Sequence, residues 1–391
     1  MKTVLIISYS PLHRDPRILR QIKALKQDYK ILTIGYTQVN DDSIIHYSVN
    51  KYIGKRSTLI QKIKLLLSIL IKYNDYERDY LQKSLDLENI LPQDIIIPDV
   101  IIANDWNGLY LASELKLKHN WQTKIYFDAH EYSPKEYDIS IKWRFALQPI
   151  IINTLKKCKK DINIMSTVCD GIAREYEKFF DFPMGFVIII TNAAEYISNL
   201  KPKEIRGRDI IRFIHHGGAI KERKLELMIK MMKYLDPEKY ELTFMLVKND
   251  IDYYNQLFQN SQEYKNIKFI EPVYFSEITN TLNNYDIGIY ILKPESYNDK
   301  YALPNKLFEF IQARLAIAIG PSIEMVKIID HYNLGVYSKN FKPKSLAKTI
   351  SQLTYEKIME FKINTDKFAK ELSDEDNINK IKEIIDELAE E

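Results

Sequence analysis

Residues 301–310 read YALPNKLFEF, and this short stretch decides how the rest of the chain is read. It describes a loop running into a helix that starts near Pro304, since proline is favoured at the first helical position, where its missing N–H costs nothing. Leu303, Leu307 and Ile311 recur at i, i+4 and i+8 as one buried stripe. The amides of Asn305, Lys306 and Leu307 then fall in the first turn without intrahelical partners. That makes an anion site, strengthened by the helix dipole and the Lys306 charge. Glu309 lies further along the same helix, where a carboxylate can take two hydroxyls of a ribose. Phosphate donors followed by a carboxylate describe a nucleoside diphosphate held at a helix start. The same pattern also fits an ordinary amphipathic helix, so its neighbours in the chain must decide.

At 391 residues the chain exceeds what one hydrophobic core usually spans, so two domains are expected. A hydrophobic share of 46% is enough to fill both cores and excludes a disordered chain. The net charge of +3 is too balanced for nucleic acid to be the main partner. Two cysteines, Cys158 and Cys169, point to a reducing compartment and away from a disulfide framework or a cysteine-based zinc site. The opening MKTVLIISYSPLHRDPR is not a signal peptide: its apolar run is short and meets His13, Arg14 and Asp15. No apolar run reaches the roughly 18 residues of a transmembrane helix.

Short apolar runs at 4–8, 30–35, 99–103, 124–128, 162–168 and 186–191 read as strands alternating with helical stretches. The pattern restarts with strands at 211–215, 241–247, 267–272, 287–292, 315–319 and 335–338. Continuous apolar strands are those of a parallel sheet covered on both faces. The polar stretch between the series, with Pro202 and Gly207, is the linker candidate. The expected layout is an acceptor-side domain over 1–196, a linker and hinge over 197–209, a nucleotide-sugar domain over 210–376, and a last helix over 377–391 crossing back to the first domain. The fold class is therefore α/β, with two doubly wound Rossmann-like domains facing a cleft, and ligands at the carboxyl ends of the strands.

The stretch 51–72 carries Lys51, Lys55, Arg56, Lys62, Lys64 and Lys72 and no acid, with Leu59, Ile63, Leu66, Leu67 and Leu70 at helical spacing. It is either a helix packed on its own domain with a solvated basic face or one that lies on an anionic membrane surface.

Three further places bear chemistry. Asp15 fits an N-cap, with Pro16 in the first turn, and His13, Arg14 and Arg17 gather at the end of the first strand. His130 and Glu131 follow the strand at 124–128, again at its carboxyl end, where a histidine can bind a substrate hydroxyl or move a proton. Gly217 and Gly218 end the first strand of the second series, followed by Lys221, Arg223 and Lys224; glycines let a backbone approach phosphate and a basic residue neutralises it. This is neither a Walker loop nor G-x-G-x-x-G, which disfavours nucleotide hydrolysis and dinucleotide redox. His215 and His216 alternate sides of a strand and so are not a metal pair.

With these pieces in order the chain resembles a GT-B glycosyltransferase of family 4. The resemblance rests on HRDPRILRQIKAL, DVIIANDWNGLYLA, KIYFDAHEYSP, STVCDGIAREY, ITNAAEY, IHHGGAIKERKLELMI and YALPNKLFEFIQARLAIAIG, in that order. It implies retaining transfer of a sugar from a nucleoside diphosphate sugar, UDP- or GDP-linked, to a hydroxyl of a glycan or lipid-linked acceptor in surface polysaccharide synthesis. No cofactor and no metal are implied, and the setting is cytoplasmic or on the inner membrane face. On this sequence Arg223 or Lys224 matches the basic residue on the diphosphate, and Glu309 matches the second Glu of the Glu-x7-Glu motif. The donor set is thus Gly217, Gly218, Arg223, Lys224, Tyr301, Pro304, Asn305, Lys306 and Glu309. The acceptor side takes His13, Arg14, Arg17, Asp105, His130, Glu131 and Asn192, and catalysis is assigned to His130, Arg223 and Lys306. The first Glu of the motif falls on Tyr301, so Glu295 and Asp299 on the preceding loop are candidates to reach the sugar. Two other readings are a GT-B nucleotide-sugar 2-epimerase and a binding subunit that has lost catalysis.

Overall fold

The structure, a computed structural model, describes residues 1–51, 74–205 and 210–390. Apart from Lys51, the basic stretch at 51–72 lies outside the described residues. The chain divides into two compact units, Met1–Ile190 with Asn377–Glu391, and Thr191–Asp376.

The amino-terminal unit holds seven strands: β1 (Thr3–Ile7), β2 (Lys30–Gly35), β3 (Ile45–Ser48), β4 (Val100–Asn104), β5 (Lys124–Ala129), β6 (Ile162–Thr167) and β7 (Val187–Ile189). They form one parallel sheet in the order β3-β2-β1-β4-β5-β6-β7. The carboxyl-terminal unit holds β8 (Ile211–Gly218), β9 (Tyr240–Val247), β10 (Ile267–Ile270), β11 (Ile287–Tyr290), β12 (Ala316–Ile319) and β13 (Gly335–Tyr337). These too are parallel, in the order β10-β9-β8-β11-β12-β13. In each sheet the strand order, not the strand direction, reverses beside the first strand, between β1 and β4 and between β8 and β11, and a crevice opens at the carboxyl ends at such a switch point.

The strands β1 and β4, apolar but for Thr3 and Asn104 at their ends, are buried throughout, as a sheet with helices on both faces requires. The predicted strands all form. β3, with sequence IHYS, was not expected: it is a half-exposed edge strand whose polar residues give no apolar run, pinned in part by His46 Nδ1 at 2.9 Å from Thr33 Oγ1. The helix Pro16–Leu25 starts where Asp15 accepts the amides of Arg17 (3.1 Å) and Ile18 (3.4 Å), and it buries Ile18, Ile22 and Leu25.

One boundary between the units differs from expectation, whereas the other falls at Asp376/Asn377 as expected. The units part at Ile190/Thr191, ahead of the linker expected at 197–209. Residues 191–205 are tied into the second unit: Arg314 Nη2 donates to the Ile197 carbonyl (2.8 Å), Asn283 Nδ2 to that of Lys201 (3.0 Å), and Ile205 is buried in the core around β8 and β9. Polar composition hid these backbone contacts. The last helix, Asp374–Glu390, seats Ile381, Ile384, Ile385 and Leu388 in the core of the amino-terminal unit with Val4, Ile6 and Leu25.

Gly288 of β11 positions the site helix Asn305–Gln312. A Cβ there would lie 2.3 Å from Phe310 Cγ, so only glycine lets this helix close on the sheet. Gly288→Ala is expected to push the helix outward at a cost of about 1–3 kcal/mol, read as a lower urea midpoint for the carboxyl-terminal unit.

Candidate functional site

The carboxyl ends of β8 and β11 face a set of buried polar side chains, His215, His216, Lys306 and Glu309. Pro304 occupies the N-cap position of the helix Asn305–Gln312 with extended backbone, one residue earlier than expected. The Leu307 amide bonds to the Pro304 carbonyl (3.1 Å), which corrects the expected trio of open amides to two, those of Asn305 and Lys306. Asn192 donates from Nδ2 to the Leu303 carbonyl (3.0 Å). It therefore braces the loop before this helix and belongs to the carboxyl-terminal unit, not to the amino-terminal one where it was expected.

Lys306 is only 6% exposed. Its Nζ lies 3.3 Å from His215 Nε2 and 4.0 Å from the centre of the Tyr290 ring. His215 Nδ1 lies 2.9 Å from the Ile289 carbonyl, to which it must donate. That fixes the tautomer and leaves Nε2 as the acceptor for the lysine. Gly217 (φ +120°) completes the pocket, in a conformation that disfavours other residues. A Cβ there would lie 3.5 Å from Lys306 Nζ and 3.9 Å from Arg223 Nη1, so two cationic groups converge on this backbone. Burial, then the Arg223 charge, drives the Lys306 ammonium well below the usual lysine range, with Glu309 opposing. Burial and the Lys306 charge likewise hold His215 neutral, well below its ordinary value.

One turn on, Glu309 Oε2 approaches His216 Nε2 at 3.2 Å, close but without hydrogen-bond alignment. Burial pushes the Glu309 carboxyl up to about 7, Lys306 pulling it down, and burial with Lys306 lowers His216 to about 3. The two histidines, read from sequence only as non-metal residues, are thus the immediate supports of Lys306 and Glu309. Their signal was present in the strand alternation, which aims them at different residues of the same helix. Gly218 abuts Asn249, whose Oδ1 would be 2.5 Å from an added Cβ. Lys224 turns to Glu295 (3.3 Å), leaving Arg223 as the basic residue at the glycine turn. Asp299 is held in a capping box with Ser296, and the half-buried Tyr301 ring packs on Tyr297 at 5.2 Å. Neither Glu295 nor Asp299 is poised to replace a carboxylate at Tyr301.

In the amino-terminal unit the expected residues separate into two groups. Arg17 is 4% exposed and clamps Asp128 through Nε (2.6 Å) and Nη2, with Nη1 on the Ile190 carbonyl (3.0 Å). Burial would raise the Asp128 carboxyl, but the Arg17 guanidinium outweighs it and holds it below the usual range. Arg17 is therefore structural, a correction to its place among acceptor residues. His13 bonds Thr37 (2.8 Å) and Arg14 is exposed, so these three do not gather. Asp105, His130 and Asn104 do. Asp105 has φ +58°, a strained conformation for a non-glycine residue at the start of the helix Asp105–His119. It accepts the His130 amide (2.9 Å) and lies 3.3 Å from His130 Nδ1, while His130 Nε2 lies 3.1 Å from Asn104 Oδ1. Glu131 is exposed. Glu136, which sequence reading passed over, is pushed up to about 8 by burial and by the charges of Glu131 and Asp105.

Among the described residues, no group of three or more His, Cys, Asp or Glu is placed to hold a metal ion, and no helix is long and apolar enough to cross a membrane.

No protein-family model matches the chain, and no curated protein matches its sequence. Solved structures do. HepE of Anabaena in complex with UDP is 11% identical over 99% of both chains, with a TM-score of 0.67. A glycosyltransferase from Rickettsia africae is 12% identical over 99% of this chain and 98% of its own, TM-score 0.67. An α,α-trehalose-phosphate synthase (UDP-forming) from Burkholderia xenovorans, in complex with glucose-6-phosphate, is 10% identical over all of both chains, TM-score 0.68. The fold is GT-B, α/β with two doubly wound Rossmann-like units.

The contrast between the two buried cations is testable. Lys306→Met is expected to raise the nucleotide-free unfolding free energy of the carboxyl-terminal unit by about 1–3 kcal/mol, read as a higher urea midpoint, as removal of a desolvated charge does. Asp128→Asn is expected to lower the unfolding free energy of the amino-terminal unit by about 3–5 kcal/mol, read as a lower urea midpoint, since it strands Arg17.

Proposed function

We propose that this chain is a glycosyltransferase that moves a sugar from a nucleoside diphosphate sugar to a hydroxyl of a glycan or lipid-linked acceptor, with retention and without a metal. The observation that carries this reading is the convergence of Lys306 and Arg223 on the Gly217 backbone, with Glu309 one turn along the same helix. Two cationic groups and the open amides of Asn305 and Lys306 suit a diphosphate, and a carboxylate one turn away suits a ribose. UDP is the first donor nucleotide to test, because HepE is described with UDP and the trehalose-phosphate synthase as UDP-forming; GDP is the second. Membership of family 4 rests on the ordered sequence motifs, and a role in surface polysaccharide synthesis on that resemblance.

In this reading the bond from the sugar C1 to the β-phosphate oxygen breaks while the acceptor oxygen bonds C1 from the same face. The acceptor proton passes to the departing phosphate. Lys306 and Arg223 stabilise the charge that grows on the leaving group, which is the term that lowers such a barrier most. His215 acts through Lys306 as a positioning residue. His130, fixed by Asp105 and Asn104, holds a hydroxyl of the acceptor or of the sugar. Tyr301 leaves the sugar end of the donor site without its family carboxylate, which favours one alternative, a subunit that binds donor without transferring it.

Incubation with UDP- and GDP-sugars, followed by nucleoside diphosphate release and thermal shift, tests both readings. Stabilisation by one donor with release of its nucleotide supports transfer; stabilisation with no release on any acceptor supports the binding subunit. Glu309→Gln is expected to weaken UDP binding by about 10- to 100-fold, the scale of a lost charged hydrogen bond. Glu309 is protonated below about 7 and a poorer acceptor there, so UDP affinity of the wild type falls as pH drops through that value. Calorimetry on Glu309→Gln is expected to show that limb of the pH profile flattened.

A further inference from the structure

At the carboxyl ends of β1, β4 and β5 a chain of hydrogen bonds runs from Asp128 through Gln21 and Asn104 to His130. Gln21 stands one turn after Arg17 on the helix Pro16–Leu25, so both reach Asp128. Its Nε2 donates to Asp128 Oδ2 and to Asn104 Oδ1, each at 2.8 Å. Asn104 Nδ2 donates in turn to Gln21 Oε1 and to the Ile7 carbonyl, each at 3.1 Å. Gln21, Asn104 and Asp128 are all buried, so water does not compete for these groups.

The direction of this chain is forced at both ends. Burial favours the neutral Asp128 carboxyl, but the Arg17 guanidinium keeps it ionised, so it can only accept. The Ile7 carbonyl can only accept as well. Turning the Gln21 amide over would set Oε1 against the Asp128 carboxylate. Turning Asn104 over would set Oδ1 against the Ile7 carbonyl. Asn104 therefore faces His130 with an oxygen, and His130 Nε2, 3.1 Å away, must carry the proton. In the neutral ring the lone pair is then on Nδ1, 3.3 Å from Asp105 Oδ2. The fold gives up local bonds to build this. Asn104 holds the N-cap position of the helix Asp105–His119, where an Asn side chain commonly accepts a helix amide, and it caps none. Asp105 is held beside it at φ +58°.

We propose that Gln21 is a positioning residue for His130: through Asn104 it fixes the ring proton on Nε2, and so leaves Nδ1 and Asp105 Oδ2 as paired acceptors for a ligand hydroxyl. Two acceptors side by side suit a group that brings its own hydrogen. A hydroxyl does so, whereas a phosphate or a carboxylate, which can only accept, is turned away. Gln21 touches no ligand in this arrangement and acts only by orienting Asn104. That the hydroxyl belongs to the sugar or the acceptor rests on the transferase reading; the position of the ring proton does not.

Nitrogen-15 NMR of the full chain tests it, with His130→Gln used to assign the ring signals and the pH held where the ring is neutral. A protonated and a bare ring nitrogen resonate far apart, so the tautomer is read directly. The wild type is expected to show His130 with its hydrogen on Nε2 alone. Gln21→Met keeps the length of the side chain and removes its amide, which frees Asn104 to turn; the form with hydrogen on Nδ1 is expected to appear. Asn104→Ser, a hydroxyl that donates or accepts and is itself a favoured N-cap, is expected to do the same and serves if Gln21→Met does not fold. With the nucleotide sugar that the chain turns over, both variants are expected to lose about 10- to 100-fold in kcat, the scale of a misplaced site group. The dissociation constant of the nucleotide is expected to stay at its wild-type value. A merely structural glutamine would lower the melting temperature and leave the tautomer and kcat alone. Hydrogen on Nδ1 in the wild type overturns the proposal, as does a single Nε2–H form in the folded variants, or an unchanged kcat where the tautomer has shifted. If no donor is turned over, the transferase reading falls, and the tautomers by themselves sustain or overturn the role of Gln21.

Discussion

A buried lysine held against a neutral imidazole and an aromatic ring is the constraint around which the carboxyl-terminal unit is organised. Lys306 Nζ is held by a neutral imidazole and a tyrosine face, with the Arg223 guanidinium nearby. Two like charges kept close with little water are costly in the empty protein. The cost is tolerable because the rest of the unit fixes the geometry. Gly288 lets the helix close, the Ile289 carbonyl sets the tautomer of His215, and Gly217 opens the backbone above the ammonium. A site built this way is pre-organised for an anion and pays for that in stability, as functional sites commonly do.

The architecture was legible because both sheets are parallel and buried, so their strands appear as unbroken apolar runs. β3 escaped because an edge strand needs no such run. The capped helix after β1 was readable from Asp15-Pro16 because capping is local. The role of Arg17 was not, because its partners lie 111 and 173 residues away in sequence. Nothing local distinguishes an arginine that reaches a ligand from one that closes on Asp128. The same limit hid the tie between Asn192 and Leu303, 111 residues apart. His215 and His216 were visible as a strand pair, but what they support depends on which helix covers the sheet.

The two units share one strand order up to the sixth strand and place polar side chains at the same point, the carboxyl ends beside the first strand. They differ in how charge is balanced there. In the amino-terminal unit the buried cation is answered: Arg17 meets Asp128, which also takes hydrogen bonds from Gln21 (2.8 Å) and Ser166, and Asn104 is shared between Gln21 and His130. That network is closed, and what it presents outward is His130 with the half-exposed Asp105. Such a surface suits neutral hydroxyls, which need oriented donors and acceptors and no countercharge.

In the carboxyl-terminal unit the balance is left open. Among the described residues no ion pair joins Lys306 to a carboxylate, and Glu309, whose charge acts on Lys306, is itself pushed toward its neutral form by burial. A neutral ligand would leave that charge uncompensated, whereas a diphosphate supplies what the fold withholds. The same elementary fold, repeated in one chain, thus yields one polar site complete in itself and one that is completed by an anion. Under the proposed function, a division of labour between acceptor and donor would follow from where the countercharge was placed, not from any difference in topology.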